Sequence, residues 1–274
     1  MLFDHPDRVN PTSGERRFEH APGAPTVVLL HGLTATPRQF DALAPMIRAR
    51  GRNVLVPRLP RHGYHNRMTT ALADLELAEL IAAVKLSLAE AHAWGGPVTV
   101  AGFSLGGLLA SYVAQREYVS RVVAIAPFFG VRWLPRRVNR SGAHVLRHVP
   151  DLFLWWDPVK RERHGGGSEG YPRYPISAVR KAFVLGQAIF EDALMRPPVT
   201  PEITLVTNPH ELTCHNGLVH ELAELWRAQG AAVDERVLGG LGPSHDFVTP
   251  RRDSRRRAEM RERVYPALVD AIVV

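Results

Sequence analysis

The residues best suited to chemistry lie in three short stretches far apart in the chain. The first is AGFSLGG, residues 101–107, where Ser104 stands between Gly102 and Gly106. The apolar run VTVAGF before it reads as a strand, and LGGLLASYVAQRE after it reads as a helix. A serine on so abrupt a strand-to-helix turn has its hydroxyl lifted above the end of a sheet. It also meets a helix N-terminus, where free N–H groups and the dipole favour developing negative charge. Side chains two residues to either side would collide across the turn, which accounts for glycine at both places. A nucleotide-binding turn needs the spacing GxGxxG or GxxxxGK[ST], and neither occurs here.

A neutral serine is a poor nucleophile. It needs a base, and the base needs a carboxylate to orient it. Both types follow in the order that such a site requires. NPHELTCHN (208–216) comes after the apolar run ITLVTN, and LGPSHDFVTP (241–250) comes after ERVLGG. His245 sits in a Gly/Pro/Ser loop just before the last helix and is the expected base. Glu211 is the first choice for the carboxylate. Asp246, adjacent to the histidine, and Asp234 are the alternatives; neighbouring residues orient each other's rings poorly. Donors for an oxyanion come from backbone, namely the N–H of Leu105 and the N–H of Leu33 in the loop after TVVLLHG. His31 and His62 read as hydrogen-bonded structural residues rather than proton carriers.

The elements that must position these groups alternate strand with helix. Strands are expected at 26–32, 53–59, 98–103, 121–127, 203–208 and 235–240. Helices are expected at 37–51, 69–96, after Ser104, near 216–229 and near 253–271. The strands are continuous Val/Leu-rich runs, as in a parallel sheet covered on both faces. This predicts an α/β fold with a mostly parallel central sheet and helices on both faces. Residues 128–202 break the rhythm: they are rich in Trp, Phe, Arg, Pro and Gly, with one helical stretch at 176–194. They read as an inserted helical cap between core segments 1–127 and 203–274. The cluster Trp133, Phe153, Leu154, Trp155 and Trp156 is the candidate wall of a substrate pocket; the bland reading is that these residues form the cap's own core.

LLHGLTATP, LPRHGY, GFSLGG, the Glu211 loop and SHDFVTP resemble the α/β-hydrolase family. They are most similar to its carboxylesterase, monoacylglycerol-lipase and lysophospholipase-like branch, with its HGFTGTP-type loops and GxSxGG elbows. The resemblance implies an α/β-hydrolase fold, a Ser104–His245–Glu211 triad and an oxyanion hole at Leu33 and Leu105. Such esterases usually carry aspartate where this chain has Glu211. The implied activity is hydrolysis of a medium-length acyl or aryl ester, monoacylglycerol-like and lysophospholipid-like lipids included, through an acyl-enzyme and with no metal or organic cofactor. Thioesterases, peptidases and carbon–carbon hydrolases use the same triad. Dehalogenases need an aspartate nucleophile, which serine at 104 excludes.

Two readings of other classes deserve weight. HELTCH (210–215) offers His210, Cys214 and His215 as zinc ligands, but the helical pattern HExxH is broken by cysteine at position 214. RRDSRRRAEMRER (251–263) offers an arginine-rich anion-binding module, within a net charge of +7. Arginines on a closing helix are usually a solvated face, and aromatic interleaving for base stacking is missing, so a nucleic-acid partner is not expected. Transient contact with an anionic membrane surface fits the charge. No apolar run reaches the roughly 18–20 residues of a span, and the first twenty residues lack a signal-peptide core. Cys214 is the only cysteine, which precludes an internal disulfide. A cytoplasmic location is the default expectation.

Overall fold

The computed structural model describes residues 8–159, 161, 169–250 and 258–273. Seven strands form one sheet: β1 (Arg16–Phe18), β2 (Thr26–Leu30), β3 (Asn53–Val56), β4 (Val98–Phe103), β5 (Arg121–Ile125), β8 (Glu202–Thr207) and β9 (Ala232–Val237). Their order is β1-β3-β2-β4-β5-β8-β9. β1 runs antiparallel to β3, and every other pairing is parallel.

The central strands are apolar throughout because side chains on both faces are buried. Val28 and Leu30 of β2, Val100 of β4 and Val122 and Ala124 of β5 face one core. Val27, Leu29, Ala101, Phe103, Val123 and Ile125 face the other. This is the period-two alternation of a pleated strand with both faces covered. The first core is closed by α2 (Leu77–Ala93), α3 (Leu105–Arg116), α6 (Ile176–Met195) and α7 (Asn216–Ala228). On α2, Leu80, Val84, Leu88 and Ala91 recur at helical spacing on the buried face; on α7, Leu218, Leu222 and Trp226 do the same. The second core is closed by α1 (Leu43–Ala49) and α8 (Tyr265–Val273), which follows a π-helical turn at Met260–Val264.

Several boundaries differ from expectation. The helix anticipated over 37–51 is a 3-10 turn at Pro37–Phe40 followed by α1. The one anticipated over 69–96 begins only at Leu77, where the Glu76 and Glu79 side chains form a capping box with each other's backbone N–H groups. The strand anticipated at 235–240 is β9 at Ala232–Val237, a sheet edge whose half-buried residues lack a continuous apolar signal. Of the arginine-rich stretch, residues 251–257 lie outside the described part of the chain.

Between β5 and β8 the chain forms α4 (Arg136–Arg140), α5 (Gly142–Leu146), an antiparallel two-stranded ribbon of β6 (Phe153–Trp155) and β7 (Arg173–Pro175), and then α6. The ribbon has no counterpart in the expected helical cap, for which no strand was anticipated in this segment. α6 packs on α3, and its Leu185, Ile189 and Ala193 belong to the same buried cluster as the sheet. It is the crossover that parallel pairing of β5 with β8 demands.

Candidate active site

β4 ends and α3 begins at Ser104, whose φ of 56° and ψ of −112° lie outside the ordinary regions for a residue with a side chain. Such strain persists only where the surroundings hold it. Here Ser104 N–H donates to Ile125 O at 2.9 Å, and Ser104 O accepts from Leu108 N–H at 2.9 Å. The flanking glycines are dictated by contact. A Cβ on Gly102 would lie 2.0 Å from Gly106 O, and a Cβ on Gly106 would lie 1.9 Å from Leu30 O on β2. The turn thus presses α3 against the neighbouring strand.

The loops after β8 and β9 bring Glu211 and His245 to this turn. Ser104 Oγ lies 2.9 Å from His245 Nε2, and His245 Nδ1 lies 3.0 Å from Glu211 Oε2. With its proton on Nδ1, the imidazole donates to the carboxylate and accepts from the serine hydroxyl. Glu211 is fully buried, and its other oxygen accepts the Cys214 N–H at 2.7 Å. The ring of Phe103 lies 4.9 Å from the imidazole, centroid to centroid. Asp246, the adjacent alternative, is turned elsewhere: its carboxylate accepts from the Val248 and Thr249 N–H groups and the Thr249 hydroxyl, closing the turn after His245. Asp234 pairs with Arg236 on β9.

Leu105 occupies the first position of α3, where an N–H has no intrahelical acceptor. Leu33 N–H has no acceptor among the described residues. Leu33, Ser104 and Leu105 all line one cavity of about 450 Å³. His31 lies behind that loop: its Nε2 accepts the Leu59 N–H at 3.1 Å and its Nδ1 donates to Gly32 O at 3.0 Å. Burial and the neighbouring His62 hold its pKa well below the usual histidine value, so it stays neutral.

The cavity is mostly apolar. Trp133, Trp155 and Trp156 line it, with Leu154, Phe128, Tyr174, Phe183 and Leu212. Phe153 is the exception among the expected wall residues: it is not in the lining, because its ring packs under the Arg173 guanidinium, 4.5 Å from the ring centroid. Trp133 is 75% exposed at the mouth, and Leu212 is 65% exposed.

The alternative zinc set, His210, Cys214 and His215, is not gathered among the described residues. Cys214 lies not with His210 and His215 but with Glu211 and His245; its Sγ is 3.8 Å from His245 Nδ1. His210 is exposed in the turn after β8, and His215 is tied at the start of α7 through its N–H to Gly130 O. Glu211, Cys214 and His245 could hold a cation, as could the more exposed His220, Glu224 and Glu235. Burial and the nearby Glu211 carboxylate push the Cys214 thiol pKa well up.

Two buried polar residues that tie the site loops together, Asn208 and Gln39, were not singled out from the sequence. Asn208 is fully buried, and its Nδ2 donates to Gly242 O at 2.9 Å and Ser244 O at 3.0 Å, joining the Glu211 loop to the His245 loop. Gln39 Oε1 accepts the Gly32 N–H at 2.8 Å, while its Nε2 donates to the Thr249 hydroxyl at 3.3 Å. The only signal in the sequence is for Asn208, a polar residue at the end of the apolar run ITLVTN, followed by proline; Gln39, in TPRQF, has none.

Comparisons with known proteins agree with this architecture. A curated relative from Gibberella zeae (strain ATCC MYA-4620 / CBS 123657 / FGSC 9075 / NRRL 31084 / PH-1), an AB hydrolase superfamily protein, is 29% identical over 98 residues, 36% of this chain and 33% of its own length. Among solved structures, one from the metagenome-derived lipolytic enzymes LipS and LipT superimposes with a TM-score of 0.69 at 17% identity, covering 96% of this chain and 100% of that one. The Paleococcus ferrophilus monoacylglycerol lipase superimposes with a TM-score of 0.63 at 18% identity, covering 93% and 98%. The sequence matches the Alpha/beta hydrolase family over residues 27–267, and the chain belongs to that family.

Proposed function

We propose that this chain is a serine-dependent carboxylic ester hydrolase acting on medium-length acyl or aryl esters, with Ser104 as nucleophile, His245 as base and Glu211 as its orienting acid. The observation that carries the reading is the unbroken hydrogen-bonded line from Ser104 Oγ through the imidazole to Glu211, opening onto an apolar cavity. The similarity to lipolytic enzymes supports it.

His245 Nε2 takes the hydroxyl proton as Ser104 Oγ attacks the ester carbonyl. The tetrahedral oxyanion accepts from the N–H groups of Leu33 and Leu105; one donor of this kind is worth about 3–4 kcal/mol of barrier. The imidazolium, stabilised by the Glu211 carboxylate, then protonates the departing alcohol. Water repeats the sequence on the acyl-enzyme and releases the acid. The acyl or aryl group occupies the cavity walled by Trp155, Trp156 and Phe183. Exposed Trp133 and Leu212 line the cavity, Arg132 N–H donates to Thr213 O next to Leu212, and exposed Arg136 and Arg137 follow Trp133 closely in the chain, an arrangement suited to transient contact with an anionic lipid surface.

A fluorophosphonate tests the reading. It should add its mass to the Ser104 peptide of the native protein and to nothing in Ser104→Ala. p-Nitrophenyl esters of increasing chain length should then give a kcat/KM maximum beyond acetate. A native protein that neither labels nor hydrolyses any ester refutes it.

A further inference from the structure

Leu33, the donor expected in the oxyanion hole, is followed by a residue under strain. Thr34 is fully buried and holds φ at 66°, a left-handed conformation that is unfavourable for a β-branched side chain. The contacts that hold it come largely from the excursion between β5 and β8. Trp156 Nε1–H donates to Thr34 Oγ1 at 2.8 Å, and Tyr171 N–H donates to Thr34 O at 2.8 Å. Thr34 Oγ1 in turn donates to Leu33 O at 2.5 Å.

Both donors are themselves fixed. The Trp156 indole packs against the Tyr174 ring with centroids 4.4 Å apart, and its backbone N–H donates to Pro172 O at 3.1 Å. The Tyr171 hydroxyl accepts the Tyr64 N–H at 2.9 Å and donates to Arg61 O at 3.0 Å. The same peptide chain that walls the cavity therefore grips the loop carrying the Leu33 N–H.

We infer that Trp156 is a positioning residue for the oxyanion loop: with Tyr171 it holds Thr34 in its strained conformation, so that the Leu33 N–H points to where negative charge develops. The inference rests on the ester-hydrolase reading and deepens it. The segment between β5 and β8 then supplies part of the transition-state geometry as well as the acyl wall. A donor aimed before reaction stabilises the oxyanion with no reorganisation, whereas a loop free to relax loses that advantage in kcat.

The test compares Trp156→Phe, which keeps an aromatic wall and removes the N–H, with Thr34→Ala and Thr34→Ser. Steady-state kinetics are measured on p-nitrophenyl acetate and octanoate. The expected result is a kcat lower by about tenfold or more in Trp156→Phe and in Thr34→Ala, on both esters, with KM for acetate little changed. Affinity for a trifluoromethyl ketone, whose adduct with serine carries the oxyanion, falls by the same factor as kcat/KM. Thr34→Ser keeps the acceptor oxygen and recovers most of the loss. The double variant Trp156→Phe/Thr34→Ala is no worse than Thr34→Ala, because the bond between indole and hydroxyl is already lost there, together with the hydroxyl's bond to Leu33 O. If the Trp156→Phe and Thr34→Ala proteins keep kcat, or Trp156→Phe changes only KM for octanoate, the indole is wall alone and the inference is overturned. A native enzyme that labels at Ser104 and turns over while the variants match it fails this inference only. A native protein inert to ester and fluorophosphonate fails the underlying reading, and this one with it.

Discussion

Glu211→Gln puts the proposed orienting role to its sharpest test, because the two carboxylate oxygens have two different donors. Oε1 accepts the Cys214 N–H at 2.7 Å, and Oε2 faces His245 Nδ1 at 3.0 Å. Glutamine offers one oxygen and one amide group to the same two partners. If the amide faces Cys214, two buried donors oppose each other, at a cost of about 1–3 kcal/mol. If the amide faces His245, every bond survives provided the imidazole moves its proton from Nδ1 to Nε2. That shift exchanges one neutral form for another and creates no charge, so the second arrangement wins. It leaves Nε2 protonated and unable to accept from the Ser104 hydroxyl. A wrong tautomer of this kind lowers kcat by about 10⁴, or about 5.5 kcal/mol of barrier. The assay is kcat on p-nitrophenyl butyrate together with the rate of fluorophosphonate labelling, on a variant whose near-UV circular dichroism matches the parent. Both rates should fall together while KM changes little. A variant within about tenfold of the parent in kcat would remove Glu211 from the base's support and refute the tautomer argument.

Gly106→Ala places a Cβ 1.9 Å from Leu30 O, so the α3–β2 contact must open; the variant should be insoluble or unlabelled by fluorophosphonate, and a soluble, active protein would contradict the packing described. His31 links stability to pH: its folded pKa lies well below the ordinary 6.5, so its contribution is complete above pH 6.5 and is lost as pH falls from there toward the depressed native value. The slope is about 1.4 kcal/mol per pH unit. Urea midpoints at pH 7, 6 and 5 should fall accordingly, and His31→Gln, which keeps an acceptor for the Leu59 N–H, should flatten the fall. Co-sedimentation with phosphatidylglycerol vesicles, accompanied by a blue shift of tryptophan emission, should exceed that with phosphatidylcholine and weaken in Arg136→Glu/Arg137→Glu; equal binding to both lipids would count against an anionic surface as partner.

The central parallel strands were legible because burial on both faces leaves uninterrupted Val/Leu runs, as in Thr26–Leu30 and Val98–Phe103, whereas the parallel edge strand β9 was displaced by its half-buried pattern. β1 was not: RRF is three residues long, half-exposed, and paired only at the sheet edge through Arg16 with Val56 and Phe18 with Val54. The β6–β7 ribbon was hidden for a related reason, since FLW and RYP carry no alternation long enough to be read as strands. Ser104, Glu211 and His245 could be singled out by their places after the strands β4, β8 and β9, and their side chains meet. Thr34, Gln39 and Asn208 could not be singled out. Their importance lies in partners 122, 210 and 36 residues away, and no local spacing encodes such pairings.

The parallel register of β5 with β8, Arg121 opposite Glu202 and Ile125 opposite Val206, obliges the chain to travel the full length of the sheet before it can re-enter. α6 makes that journey, and at about 1.5 Å per residue its twenty residues suffice. Residues 128–175 are therefore an optional detour taken before an unavoidable one. Lengthening or exchanging them leaves the pairing of the seven-stranded sheet untouched, and each doubling of such a loop adds only about 0.6 kcal/mol of closure entropy. On the proposed reading the pocket wall can thus be rebuilt without touching the central sheet, under one obligation: whatever replaces the detour must still reach back and clasp Thr34.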